Sequence, residues 1–439
     1  VRYDVVIVGG GMAGCVLAAR LSEEPRRSVC LVEAGPDYGP YDAGRWPVDI
    51  LDGRRLALDS HCWERDDEND RSQLRARILG GCSAHNACVI LRGLDVDYDE
   101  WGPGWTAEVL APYLDRAERA LASRPVGAGH SPWHVAWSET VGDDAIDYLV
   151  NMTPDGVRWN ASFAYLDGAR SRENLTIVAD TAVERVLLAG NRATGVGTRH
   201  GEIDARVIVL CAGAYGSPAI LLRSGIGPQS GLPVGEGLCD HVGTGIGWEA
   251  TDELREQWDL SALEGFGAIV RGRSSFCADG GWDLLLLTAA EGDYDLSAAV
   301  FVMKPRSRGH VTLTAPDVDA PLHIEHGFLS DDRDALALTE AFDWVRELGR
   351  SEPVARCAGR ERRPGADVEA ETHVRATARG FFHPTGTCAL RSVVDESCRV
   401  LGHDGLVVAD ASVIPTIPRV PVNLTTAAIA ERVADLLVA

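Results

Sequence analysis

Residues 3–14 read Tyr-Asp-Val-Val-Ile-Val-Gly-Gly-Gly-Met-Ala-Gly, and this stretch decides the fold. The consecutive aliphatic residues Val5 to Val8 suit a parallel strand buried on both faces. Gly9, Gly11 and Gly14 then give the spacing G-x-G-x-x-G at the start of a helix expected from Met12 to Leu21. Glycine at these places allows a tight turn, a close approach of backbone to a pyrophosphate, and close packing of helix on strand. The helix start adds free N–H groups and the positive end of its dipole. A second strand, Val29 to Val32, leads into Glu33, which stands 24 residues beyond Gly9, where a carboxylate can accept hydrogen bonds from a ribose diol. This is a dinucleotide-binding unit, and it leaves NAD and FAD undistinguished.

The chain has 439 residues, enough for about two to three domains with a full core. Its 45% hydrophobic and 24% charged residues are those of a globular protein without tracts or repeats. A formal net charge of -23 repels phosphate backbones and anionic lipid, so nucleic acid and membrane surfaces are excluded as favoured partners and a small molecule is expected. Eleven cysteines, an odd number without zinc-ligand spacing, read as the reduced thiols of a cytoplasmic protein. No apolar run is long enough to span a bilayer, and no metal site is expected.

Further blocks follow in order along the chain. They are Arg75 to Asn86 (RARILGGCSAHN), Leu91-Arg92-Gly93, Asp97 to Trp101 (DYDEW), Gly213 to Pro228 (GAYGSPAILLRSGIGP) and Leu232 to His241 (LPVGEGLCDH). Lys304 to Thr314 (KPRSRGHVTLT), Phe382 to Cys388 (FHPTGTC) and Leu406 to Pro415 (LVVADASVIP) complete the series. Together they resemble the glucose-methanol-choline (GMC) oxidoreductases from end to end. The resemblance implies FAD rather than NAD, and an α/β architecture in which a discontinuous Rossmann-like FAD-binding domain covers 1–120, 172–245 and 384–439. An α+β substrate-binding domain built on an antiparallel sheet would cover 121–171 and 246–383. Val207 to Ala212 (VIVLCA) is then a central strand of the nucleotide sheet.

The resemblance also implies which residues hold FAD. Gly9, Gly11, Met12, Ala13 and Gly14 form the first turn, with Glu33 and Ala34 after the second strand. Gly80, Gly81, Ser83, His85 and Asn86 lie in the Arg75 to Asn86 block, which resembles the family's first signature, and Ala87 follows it. Val183 meets adenine through its backbone, and Ala212, Gly213, Asp410, Ala411, Asn423 and Thr425 complete the set; for Asp410 a plain turn aspartate is the alternative. His85 occupies the place of the histidine that choline oxidase, whose motifs are the most similar here, joins to the flavin 8α-methyl carbon. A covalent histidyl-FAD is therefore implied, with a neutral hydrogen-bonded histidine as the alternative.

His383 sits in a Phe-Phe-His-Pro-Thr-Gly turn whose proline and glycine hold the backbone. Imidazole there is suited to take a hydroxyl proton as hydride leaves the same carbon. A lone histidine is more often structural, and it is the resemblance to the family's His-Pro motif that implies catalysis. Asn423 resembles the second member of that site, its amide stabilising a developing alkoxide. Its alternative is the cap of a helix marked by Ile429, Val433 and Leu436.

The segment from Trp248 to Val300 shows no shared motif and is read as a variable roof over the flavin. It carries eleven acids against three arginines, interleaved with Trp248, Trp258, Phe266, Phe276 and Trp282. This composition fits either a pocket for a cationic alcohol or a solvated face. The chain is shorter than most members of the family, which suggests an open mouth. The substrate is expected to be a small-molecule alcohol and the electron acceptor O2 or a carrier. The rival function is a lyase of the hydroxynitrile-lyase type that keeps FAD only as structure. His323 and His326 do not read as a zinc pair, because a strand would send them to opposite faces.

Overall fold

The aliphatic run that opens the chain forms β1 (Arg2–Val8), with Val5 to Val8 buried. The structure, a computed structural model, describes residues 2–64, 71–126, 131–257, 267–278, 280–291 and 295–438. After β1 come β2 (Val29–Val32), β3 (Leu175–Val178), β4 (Val183–Ala189), β5 (Arg192–Thr198) and β6 (Gly201–Leu210). Next are β7 (Val242–Ala250), β8 (Ile269–Gly272), β9 (Leu284–Glu291), β10 (Asp295–Val302), β11 (Gly309–Leu313) and β12 (Leu322–Glu325). β13 (Ala358–Arg363), β14 (Arg379–Gly380) and β15 (Leu406–Val408) follow. The helices that matter for the site are α1 (Met12–Leu21), α2 (Ala107–Ala120), α3 (Gly213–Arg223), α4 (Asp332–Leu348) and α5 (Asn423–Val438).

The first sheet has the order β3-β2-β1-β6-β5-β4, with β15 added to the end of β6. β1 is parallel to both neighbours, Val6 standing opposite Cys30 on one side and Ile208 on the other. The expected strand at Val207 to Ala212 is the buried end of the longer β6 and stops at Leu210. Its first half alternates in exposure and folds back antiparallel on β5, whereas Ile208 to Leu210 lie between β1 and β15. Full burial of side chains such as Ile7, Leu17 and Leu31 contributes about 1.5–3 kcal/mol each.

Helix α5 packs against α1 and α2. The fully buried Glu431 of α5 accepts from Arg20 of α1 at 2.8 Å, Arg116 of α2 at 3.2 Å and the Tyr165 hydroxyl at 3.2 Å. The acid is satisfied by both neighbouring helices, so their relative rotation is fixed as well as their spacing.

The second sheet, β8-β9-β10-β7-β13 with β14 on β7, is antiparallel throughout. Successive side chains point to opposite faces. Leu284, Leu286, Val300 and Val302 join a core with Phe342 of α4 and the tryptophans Trp133, Trp137 and Trp248, while Leu285, Leu287, Ala299 and Phe301 face the other way. A smaller antiparallel sheet joins the short strand Glu236–Leu238 to β11 and β12. The architecture is thus the expected α/β sheet assembled from distant segments beside an antiparallel one. All eleven cysteines are free thiols, and no helix among the described residues is long and apolar enough to cross a membrane.

The packing of α1 separates two glycines that look alike in the motif. A Cβ at Gly14 would stand 1.9 Å from the Gly9 carbonyl oxygen, whereas one at Gly11 meets nothing nearer than Gly81 Cα at 3.8 Å. Gly14→Ala is expected to lower the unfolding free energy by about 1–3 kcal/mol, as overpacked cores do. Gly11→Ala should stay within about 0.5 kcal/mol of the parent. Equal denaturant midpoints for the two variants would contradict this packing.

Candidate active site

A cavity of about 1440 Å³ begins at the carboxyl ends of β1, β2 and β6 and continues beneath β9 and β10 to His383. At its nucleotide end the helix α1 starts without a side-chain cap and without an acid in its first turn, and Gly11, Met12 and Ala13 line the wall. Unsatisfied N–H groups at a helix start, facing a cavity, fit an anion such as a pyrophosphate. Glu33 and Ala34 line the same wall. Both oxygens of Glu33 are already engaged, by the Gly10 N–H at 2.6 Å and the Gly35 N–H at 2.8 Å, and burial raises its pKa above the ordinary carboxylate range. Each oxygen keeps a further lone pair, so the acid holds the glycine turn and can still serve a ribose.

Val183, Ala212, Gly213, Asp410, Ala411, Gly81, Ser83, Asn86 and Ala87 also line the cavity. Asp410 is engaged by the Gly213 N–H, the Ser217 hydroxyl and the Ser412 N–H, so it fixes the start of α3. Ser83 donates to Gly80 O at 2.6 Å and accepts from the Ala161 N–H, and Asn86 accepts from the Cys88 N–H. Three expected residues lie behind the wall. Gly14 packs on Gly9, Gly80 donates its N–H to Gly10 O at 2.7 Å, and the Thr425 hydroxyl meets that of Tyr98 at 3.2 Å. One position along the helix changes the face presented, and Thr426 lines the cavity instead.

His85 is buried on the cavity wall, and its Nε2 has no hydrogen-bond partner. Burial, then the charge of Arg158, pushes its imidazole down to about 4. A buried ring nitrogen left unpaired costs about 1–3 kcal/mol, so this atom fits a site completed by another group. With the uncapped helix start and the size of the cavity, the residues present fit FAD.

At the other end, His383 Nδ1 lies 3.0 Å from His241 Nδ1, and His241 Nε2 lies 2.9 Å from the Pro418 carbonyl oxygen. A carbonyl only accepts, so His241 carries its proton on Nε2 and presents a lone pair at Nδ1. His383 must then donate from Nδ1, which leaves its Nε2 as a free base. Burial pushes His241 down to about 3, and burial with the nearby His241 and Arg75 holds His383 well below the ordinary imidazole range. Both rings are therefore neutral near pH 7. The turn itself is held from below, because Asp240 accepts from the His383 N–H at 2.9 Å and the Phe381 N–H at 3.3 Å. Burial pushes Asp240 up to about 7 against the pull of Arg75 and these N–H groups, and its Oδ2 has no partner. Phe382 adopts a left-handed backbone (φ 64°), uncommon for an aromatic residue.

Asn423 opens α5 and lines the cavity. Its side-chain oxygen accepts from the Leu424 N–H at 2.8 Å and its amide nitrogen donates to Val89 O at 3.0 Å, leaving one amide hydrogen for a ligand. Overhead, Ile269, Leu285, Leu287, Ala299 and Phe301 form an apolar roof, and Phe301 stacks on Phe381 at 3.9 Å. The aromatic and carboxylate cage for a cation is not assembled from the described residues. Trp248 belongs to the second core, Phe276 packs against that core, Trp282 packs against the roof residues without lining the cavity, and Asp283 is bonded to Ser274. Trp258, Asp259, Glu264, Phe266, Asp279 and Asp293 lie outside the described residues. Sequence reasoning missed His241 and Asp240, although the Asp-His pair that closes the Leu232 to His241 block was a usable signal.

The family models for GMC oxidoreductases match residues 3–243 and 305–430. The chain is 31% identical to an oxygen-dependent choline dehydrogenase of Burkholderia ambifaria, with 99% of this chain and 93% of the relative covered. That alignment runs over 534 positions, more than the 439 residues of this chain, so the relative carries segments that are missing here. The structure resembles pyridoxine 4-oxidase from Mesorbium loti with a TM-score of 0.86 at 28% identity, each chain covered to 99%. It shares its fold with a formate oxidase of Aspergillus oryzae, with a TM-score of 0.82 at 23% identity, covering 99% of this chain and 98% of the other.

The hydrogen-bond directions set a spectroscopic expectation. Nitrogen chemical shifts of isotopically labelled histidine should report the Nε2–H tautomer for His241 and the Nδ1–H tautomer for His383 near pH 7. The opposite pair of tautomers would overturn the assignment of the free base.

Proposed function

The chain belongs to the GMC oxidoreductase family, and from that premise we propose that it oxidises an alcohol to a carbonyl with His383 Nε2 as the base. The observation that carries this reading is the histidine pair, in which Pro418 O orients His241 and His241 orients His383. FAD, when bound, would supply the acceptor for the hydride, which carries both electrons away from the substrate carbon. His383 takes the hydroxyl proton, and the free amide hydrogen of Asn423 stabilises the oxygen as it gains charge. The apolar roof excludes water and strengthens both interactions. It also suits a hydrocarbon or aromatic alcohol better than a quaternary ammonium, since no acid among the described residues lines that part of the wall.

This reading divides the chain into a cofactor unit (1–120, 172–245 and 384–439) and a substrate unit (121–171 and 246–383). Within the segment 121–171, the Tyr165 and Leu166 side chains are buried in the core of the first unit and so tie the two units together. Further, the unpaired Nε2 of His85 supports a covalent bond between that atom and the flavin, a link that would raise the reduction potential of the ring and prevent cofactor loss.

Anaerobic mixing of the yellow holoprotein with benzylic alcohols, aliphatic alcohols and choline tests the reaction. Apolar alcohols should bleach the flavin faster than choline, and admitting air to the bleached enzyme distinguishes O2 from a carrier as acceptor. His383→Ala should keep the colour and bleach about 10²–10⁴ times more slowly. Since His383 is held below the ordinary imidazole range, the wild-type rate should stay level as pH falls through about 6.5 and decline only below it. A holoprotein that no alcohol bleaches would leave the lyase reading in place. Acid precipitation tests the link: yellow colour should stay with the pellet of the wild type and move to the supernatant in His85→Ala.

A further inference from the structure

The hairpin formed by β11 and β12 presents a second cluster of donor groups, on the face turned away from the cavity. In its register His310 stands opposite Glu325 and Thr312 opposite His323. Residues two apart on a strand share a face, so His323 and Glu325 stand on one side of β12 with His310 beside them on β11. The three donor atoms lie within 4.8 Å of one another, with His310 Nε2 3.6 Å from Glu325 Oε2 and the two imidazole centroids 6.0 Å apart. Leu322 and Ile324 take the alternating positions and line the cavity wall, so the polar face plays no part in the catalytic site.

The geometry points to a binding site for a divalent transition-metal ion such as Zn²⁺, held by His310, His323 and Glu325 with water in the remaining position. Two imidazoles and one carboxylate are a donor set for Zn²⁺, Ni²⁺ or Cu²⁺ and not for Mg²⁺ or Ca²⁺, which take oxygen ligands. Metal bonds of about 2.0–2.2 Å place tetrahedral ligands roughly 3.3 Å apart. The 3.6 Å pair is close to that value, and an exposed side chain at His323 reaches it by rotation about its own bonds. On the other side of His310 the exposed Glu236 shares its register, adding a negative charge that favours a cation. The metal would bridge the two strands of a hairpin whose inner face closes part of the cavity.

This inference stands apart from the catalytic reading, and its test uses tag-free, chelator-treated holoprotein. Equilibrium dialysis against zinc chloride should show one saturable equivalent per chain that excess Mg²⁺ does not displace. His310→Ala and His323→Ala should each weaken zinc binding at least about tenfold, while retaining flavin and the alcohol bleaching rate of the parent. Zinc should also raise the thermal midpoint of the wild type and leave that of either variant unchanged. The absence of a saturable equivalent would overturn the site. So would unchanged affinity in both variants, which would place the metal elsewhere, such as at Asp240, His241 and His383, whose donor atoms also converge. His323→Asn provides a second variant should alanine weaken the hairpin.

Discussion

Three approaches of backbone to backbone, each too close for a side chain, hold the cofactor half of the molecule together. A Cβ on Gly14 would lie 1.9 Å from Gly9 O, one on Gly9 2.6 Å from Cys211 O, and one on Gly81 2.5 Å from Gly11 Cα. Helix α1 therefore rests on the turn after β1, that turn rests on the end of β6, and the first-signature turn rests on both. Gly9 and Gly81 have positive φ as well (98° and 56°), so the chain direction at these contacts also demands glycine. The result is a cavity wall made of main chain, in which N–H groups rather than side chains meet whatever is bound.

The reacting end is positioned by a relay of a different kind. Asp97, fully buried, accepts from the Arg419 guanidinium at 2.5 Å and from the Arg419 N–H at 3.1 Å, while Lys304 donates to Ile417 O at 3.1 Å. These bonds fix the loop that carries Pro418 O, which fixes His241, which fixes His383. A buried ion pair adds little net stability once desolvation is counted, yet losing one partner costs about 3–5 kcal/mol. Its value here is placement. The DYDEW block and the carboxy-terminal loop are joined at a point where a small displacement would alter which nitrogen of the base carries the proton.

The parts of this arrangement that depend on local pattern were legible in the sequence. The strand-turn-helix at Tyr3 to Leu21 and the strand at Val29 to Val32 follow from aliphatic runs and glycine spacing, and the structure has them at those positions. The end of β6 was legible, but not its polar first half, whose pairing partner β5 carries no strong strand signature. His383 could be singled out through its motif, yet its partner lies 142 residues away, and nothing in either segment announces which ring donates. Thr425 and Thr426 are adjacent and chemically identical, so only the helix register separates the cavity wall from the contact with Tyr98. Trp248 misled for a similar reason: a tryptophan in an acidic stretch resembles a binding residue until alternation along β7 turns it into the second core.

The parallel sheet has a bearing on how the molecule is made. β1 is made well before two of the strands that complete its sheet, β6 and the added β15, and only β2 follows it closely. Helix α5, which packs on α1, is later still. Pairings of such long sequence separation are slow to form and leave aliphatic strands uncovered while they wait. The nucleotide cleft therefore closes only after β15 and α5 have been made, which places cofactor capture late in folding.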